Sequence, residues 1–172
     1  MYLGCHLSVS KGYLAMGKTA SAIGANAFQF FTRSPRGGSV KPLDVEDITA
    51  LAAYGREHDF GPLTAHAPYT LNPCALDEGL REYALETMLD DLQRLEYLPG
   101  SYYNFHPGSH VGQGIDAGIE LITEALNEIL TSQQHTTVIL ETMSGKGSEV
   151  GSRFEELKRI LDGVKLNGQM GD

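Results

Sequence analysis

Cysteine is scarce in this sequence, and no C-x-x-C pair is present. The two cysteines, Cys5 and Cys74, lie in separate segments of the chain. A disulfide framework or a cysteine-based zinc site needs more thiols at closer spacing. We therefore expect both cysteines to be reduced and to pack as small apolar groups.

Long hydrophobic runs are also lacking. The longest uncharged apolar stretches, such as 27–31 and 137–140, are far shorter than the ~20 residues that a bilayer-spanning helix requires. No basic and apolar leader opens the chain. The sequence therefore predicts a protein that does not enter the membrane, and we expect a cytoplasmic location.

Positive charge is limited, since 13 Lys and Arg residues stand against 22 Asp and Glu residues and give a formal net charge of -9. This balance argues against a nucleic-acid-binding protein that works by bulk charge. Binding to a phosphate backbone would have to be local, through a few arginines or bound cations.

The sequence does contain the length and composition of one globular domain. Its 172 residues are 41% hydrophobic and 20% charged, which suits a single domain with a sizeable core. We expect one domain over residues 1–172.

Five short apolar runs alternate with five longer segments of helical periodicity. The predicted strands are 2–7, 27–32, 63–66, 102–106 and 137–141, and the predicted helices are 14–23, 45–58, 80–98, 119–130 and 154–161. Asp44 and Asp116 are predicted N-caps of the second and fourth helices. In the third helix an apolar stripe is expected at Leu80, Ala84, Met88, Leu92 and Leu95.

This alternation predicts an α/β fold with a parallel sheet, either open and doubly wound or closed as a barrel. A complete (β/α)₈ barrel typically requires ~250 residues, so five βα units would make about five eighths of one. Residues 164–172 are expected to lead toward a sixth strand.

Three candidate metal ligands, His66, His106 and Glu141, each lie at the carboxyl end of a predicted strand. Because these ends meet at one face of a parallel α/β fold, the three side chains can share one centre. Two imidazoles and a carboxylate are a normal ligand set for catalytic zinc. The alternative is that the histidines are hydrogen-bonded core residues.

Arg33, Arg36 and Tyr69 lie in loops expected to border the same face. Arginines and an aromatic ring beside a metal suit a phosphodiester backbone and its bases. The alternative is that the arginines are solvated and the ring packs under its loop. His6 and His110 are expected to support the site from outside the ligand set.

The segments together resemble the endonuclease IV family of zinc-dependent apurinic/apyrimidinic endonucleases. The resemblance rests on residues 4–8 (GCHLS), 30–36 (FFTRSPR), 66–69 (HAPY), 104–110 (NFHPGSH) and 141–147 (ETMSGKG), and it extends over essentially the whole chain.

The resemblance implies a TIM barrel that holds three zinc ions and hydrolyses double-stranded DNA 5′ to abasic sites with zinc-activated water. His66 and His106 match ligands of the most exposed zinc, and Glu141 matches a bridging ligand, which makes it both metal-binding and catalytic. Arg36 and Tyr69 match residues that insert into DNA. His6 matches a histidine beyond the ligands.

The family's later ligands have no match in this sequence, and Asp172 is not assigned to any of them. The expected fold is therefore a parallel (β/α) TIM barrel truncated to about five βα units, with ligands for about one zinc and impaired activity. The alternatives are an inactive metal-binding barrel fragment and a sugar isomerase or epimerase on a related barrel. Exposed strand edges further predict a homo-oligomer that covers the open side.

Overall fold

Five parallel strands alternate with five helices in the computed structural model, which describes residues 1–171. The strands are β1 (Gly4–Leu7), β2 (Ala27–Phe31), β3 (Thr64–His66), β4 (Tyr102–Phe105) and β5 (Thr137–Leu140). The helices are α1 (Tyr13–Ala22), α2 (Val45–Glu57), α3 (Glu78–Leu95), α4 (Ile115–Ile129) and α5 (Phe154–Gly163). The predicted alternation and the parallel α/β class are confirmed.

The strands form one sheet in sequence order, β1-β2-β3-β4-β5. Every neighbouring pair is parallel, and Phe31, His66, Asn104 and Ile139 lie side by side across β2 to β5. All five carboxyl ends therefore lie along one edge. The arrangement is that of consecutive βα units in a TIM barrel.

The segment after α5 returns to the sheet as expected. Met170 makes an isolated parallel bridge with Val138, and the amide of Gly171 donates to the carbonyl of Val138 over 2.8 Å. The end of the described chain therefore pairs with β5, which is where a sixth strand is expected to begin. Asp172 lies outside the described residues.

Side chains alternate between the two faces of the sheet. On the face covered by helices they are buried and form the core with the apolar sides of the helices. These residues are Phe28, Phe30, Ala65, Tyr103, Phe105 and Val138. The opposite face carries the polar strand residues and is more exposed. A functional site can therefore form on this face at the carboxyl ends of the strands.

Helix α3 contributes the predicted stripe from its second turn onward. Ala84, Met88, Leu92 and Leu95 are buried, whereas Leu80 is 56% exposed. Leu80 lies in the first turn, which follows the N-cap Asp77 and contains no buried residue. The prediction for Leu80 was therefore wrong.

One predicted N-cap is confirmed and the other is wrong. Asp44 Oδ1 accepts the amide of Asp47 over 3.0 Å. Helix α4 is preceded instead by Gly114, whose φ of 95° suits glycine, and Asp116 lies inside the first turn. Within residues 1–171 no helix combines the length and apolarity that a bilayer crossing requires.

Candidate metal centre

Three potential ligands converge at the carboxyl edge of the sheet. His66 ends β3, while His106 and Glu141 directly follow β4 and β5. One donor atom from each residue lies within 4.8 Å of the others. The group that the sequence predicted is therefore assembled by parallel neighbouring strands.

The three side chains of the candidate centre differ in their exposure to solvent. The side chain of His66 is 7% exposed, that of His106 is 24% exposed and that of Glu141 is 39% exposed. A metal ion bound here would be held by the buried imidazole of His66 and would still be accessible to water and substrate. This is the access that a catalytic ion needs.

Both ring nitrogens of His66 face oxygen atoms. Nδ1 lies 2.6 Å from the carbonyl oxygen of Ala67, and Nε2 lies 2.9 Å from Glu141 Oε2. Since a carbonyl only accepts, Nδ1 carries a hydrogen, and Nε2 is the ring nitrogen that faces the carboxylate of Glu141. Nε2 donates a hydrogen bond to Glu141 here, and a divalent cation could take the place of that proton between the same nitrogen and oxygen, so the donor set fits a metal ion.

Glu141 is held in its ionised form. Partial burial raises the pKa of its carboxyl, but hydrogen bonds from His66 and Asn104 outweigh burial and hold the pKa below its ordinary value. Asn104 Nδ2 donates to Oε2 over 2.5 Å, and His106 Nε2 lies 3.6 Å from Oε1. A deprotonated carboxylate is the form that binds metal.

Sequence reasoning missed two residues of the centre, Asn104 and Phe31. Asn104 precedes His106 by two residues, a spacing that places both on one face of a strand. Phe31 is the register partner of His66. The two-residue period of a strand could have identified Asn104, and the register between β2 and β3 could have identified Phe31.

Phe31 connects the metal centre to two further predicted site residues. Its ring centroid lies 5.1 Å from that of His66, 4.9 Å from that of His6 and 6.5 Å from that of Tyr69. Tyr69 is 47% exposed. His6 and Tyr69 thus flank the centre through one shared aromatic contact.

The two arginines of the β2 loop have different environments. Arg36 is exposed. The side chain of Arg33 is 6% exposed and pairs with Asp90 and Asp91 of α3. Both interpretations of Arg33 from the sequence, a DNA-facing arginine and a solvated loop charge, were wrong, because its guanidinium is held in a buried ion pair that stabilises the fold.

His110 lies in the loop after β4 and is not part of the three-residue group. Its Nδ1 accepts the amide of Gly114 over 3.2 Å, which places it at the start of α4. The same loop is joined to the loop after β5. Val150 N donates to the carbonyl of Gly108, and Ser109 bridges Glu149 in antiparallel fashion.

Residues 18–171 match a protein family described as xylose isomerase-like TIM barrel. A protein of Alkaliphilus oremlandii named "Probable endonuclease 4" is 57% identical over 169 residues, which are 98% of this chain and 60% of that protein. A protein of Akkermansia muciniphila with the same name is 55% identical over 170 residues, 99% of this chain and 61% of its own. The chain thus spans about three fifths of the curated relatives it matches.

Solved structures show the same relationship. Endonuclease IV from Thermus thermophilus matches with a TM-score of 0.76 and 32% identity over 95% of this chain and 60% of that one. A D-tagatose 3-epimerase-like protein matches with a TM-score of 0.73 and 18% identity over 99% of this chain and 63% of its own. The second likeness shows the fold alone.

Proposed function

This chain belongs to the xylose isomerase-like TIM-barrel family, and we propose that it is an endonuclease IV-type DNA repair hydrolase. The proposed reaction cuts double-stranded DNA 5′ to abasic sites. The observation that carries it is the grouping of His66, His106 and Glu141 beside loops that expose Arg36 and Tyr69. The names of the relatives point the same way.

We propose zinc as the metal and His66, His106 and Glu141 as its ligands. Nitrogen and carboxylate donors on an open site are the set that catalytic zinc prefers. A bound zinc would supply Lewis acidity and a nucleophilic water near neutral pH. With one such group among residues 1–171, the chain would hold about one of the three ions proposed for the family.

Two groups of residues would then have different roles: one would orient the metal ligands and the other would bind DNA. Asn104 fixes the orientation of the Glu141 carboxylate, and Ala67 fixes the ring of His66. Arg36 would contact a backbone phosphate, because a guanidinium donates to phosphate oxygens in a forked geometry. Tyr69 would stack or wedge against a base.

A sugar isomerase or epimerase is the weaker alternative. The epimerase-like structures share the fold at 12–18% identity, and fold alone does not carry chemistry. Arg36 and Tyr69 at the rim favour a charged polymer with aromatic bases over a neutral ketose. The inactive metal-binding fragment differs from the leading proposal only in lacking hydrolysis.

The test is incision of a duplex that carries one tetrahydrofuran abasic-site analogue, with the zinc content of the chain measured in parallel. We expect a nick 5′ to the lesion at a low rate, and we expect His106→Ala to lose both the metal and the nick. Stoichiometric zinc without incision would support the inactive fragment. Turnover of a ketose with manganese or cobalt would overturn the nuclease in favour of an isomerase.

We also propose a cytoplasmic location and a homo-oligomer. On the open face of the sheet, His6 of β1 is exposed and Tyr102 is 36% exposed. A second copy would cover this surface. Sedimentation velocity at micromolar concentration should show a dimer or larger species, and a compact monomer would overturn the proposal.

A further inference from the structure

The turn that presents Arg36 is fixed by contacts outside the metal centre. We define the Arg36 turn as residues 34–38, in which Gly37 N donates to the carbonyl of Ser34 over 2.8 Å. Arg36 N also lies 3.3 Å from Ser34 Oγ. The backbone around Arg36 is therefore a closed turn.

The base of the turn is anchored to α3. Arg33 Nε and Nη2 donate to Asp91 Oδ1 over 3.0 and 2.6 Å, and Nη2 also donates to Asp90 Oδ2. Asp91 accepts in addition from the hydroxyl of Tyr103 on β4 over 2.9 Å. The residue preceding the turn is thus locked into a buried network between a helix and the sheet.

The far end of the turn is attached to the same helix. Gly38 N donates to the hydroxyl of Tyr83 over 2.8 Å. A Cβ on Gly37, whose φ is 78°, would lie 2.9 Å from that hydroxyl and 3.1 Å from Thr70 Oγ1. Gly37 therefore allows the turn to pack against α3 and the β3 loop.

The turn is also joined to the loop of Tyr69. Tyr69 N donates to the carbonyl of Pro35 over 3.1 Å. Arg36 and Tyr69 consequently lie on two segments that share a backbone hydrogen bond, so their relative positions are set before any ligand arrives.

We propose that Tyr83 is a positioning residue that clamps the Arg36 turn for DNA binding. The proposal rests on the proposed function, and it adds the reason why an exposed arginine would bind with little loss of backbone freedom. Binding is stronger when the ordering of a loop is already complete in the free protein. Tyr83 acts on DNA only through the turn.

The test uses Tyr83→Phe, which removes one hydroxyl from a side chain that is 38% exposed. Tyr97→Phe is the matched control, because Tyr97 is 44% exposed and follows the other end of α3. Trypsin cleavage of the Arg36–Gly37 bond, followed by mass spectrometry, reports opening of the turn without DNA. Anisotropy with the abasic duplex reports binding by the zinc-loaded chain.

Tyr83→Phe should speed cleavage at Arg36 and weaken duplex binding, each about three- to tenfold, as expected for one lost hydrogen bond. Metal binding should be unchanged, and Tyr97→Phe should alter neither quantity. An unchanged cleavage rate would overturn the clamp. Faster cleavage with unchanged duplex affinity would overturn its role in DNA binding and leave the proposed function intact.

Absence of duplex binding by the unaltered zinc-loaded chain would instead overturn the proposed function. It would remove the DNA role of the turn with it. The cleavage rates would still decide whether Tyr83 holds the turn, so the two failures are distinguishable.

Discussion

The side-chain amide of Asn104 donates a hydrogen bond to the carboxylate of Glu141. If this contact orients the ligand, Asn104→Leu should weaken zinc or cobalt binding about tenfold or more, the usual cost of losing a partner of a metal ligand. Competition with a chromogenic chelator measures the affinity. Asn167→Leu, outside the centre, is the control, and equal affinities for both variants would contradict the role of Asn104.

Asp90 gives the fold a dependence on pH that is separate from the metal. Burial raises the pKa of its carboxyl, but hydrogen bonds from Arg94 and Arg33 outweigh burial and lower it below the ordinary value. A lowered pKa in the folded state contributes stability above the unfolded pKa of about 3.9, and this contribution is lost as pH falls through the folded pKa.

Asp90→Asn should therefore reduce the urea midpoint near neutral pH, and the difference from the parent should shrink as pH falls below about 4. Glu46→Gln, in the exposed first turn of α2, should show no comparable effect. A deficit for Asp90→Asn that stayed constant down to the acid transition would show that the charge of Asp90 contributes nothing.

At the scale of elements, α1 receives its N-terminal cap from α2. The N-cap position is Gly12, which has no side chain, and the carboxylate of Asp47 accepts from Tyr13 N over 2.5 Å and from Leu14 N over 3.1 Å. Asp47→Ala should cost about 1–2 kcal/mol, the usual value of a lost cap. Chemical denaturation measures it, with Glu46→Ala as the neighbouring control.

The sequence was sufficient to predict the strands and α-helices but not the side-chain contacts between them. Apolar period and turn residues placed the five strands and the five α-helices but not the two short 3-10 helices at Val9–Lys11 and Asn167–Gln169, and Asp44 was recognisable because its cap is local. Asp47 was not, because it caps a helix that lies 33 residues earlier in the chain. Arg33 was misplaced for the same reason, since its partners on α3 are 57 and 58 residues away.

The grouping of the three candidate ligands could be predicted because it depends on topology more than on detailed packing. His66, His106 and Glu141 are far apart in sequence, yet parallel strands in sequence order bring their carboxyl ends to one edge. The hydrogen-bond partners of these ligands, such as Asn104, needed the register of the strands. Register is set by the whole sheet.

For the molecule as a whole, a net charge of -9 limits DNA binding to a few local contacts. We expect a shallow salt dependence, with a log–log slope equal to about -0.9 times the small number of phosphates neutralised. Arg36→Met should reduce the magnitude of the slope by about one if it contacts one phosphate. Titrations of the abasic duplex at several salt concentrations measure it, and an unchanged slope would remove Arg36 from the phosphate contacts.

The hydrogen bonds between the loops that follow β4 and β5 limit which loops can be exchanged between related barrels in a chimeric protein. His106 and Glu141 stand at the entrances of two loops that share backbone hydrogen bonds at Gly108 and Ser148. A chimera that replaced one loop alone would leave those donors and acceptors unpaired and displace a ligand. These two segments should be transplanted, and inherited, as a single module.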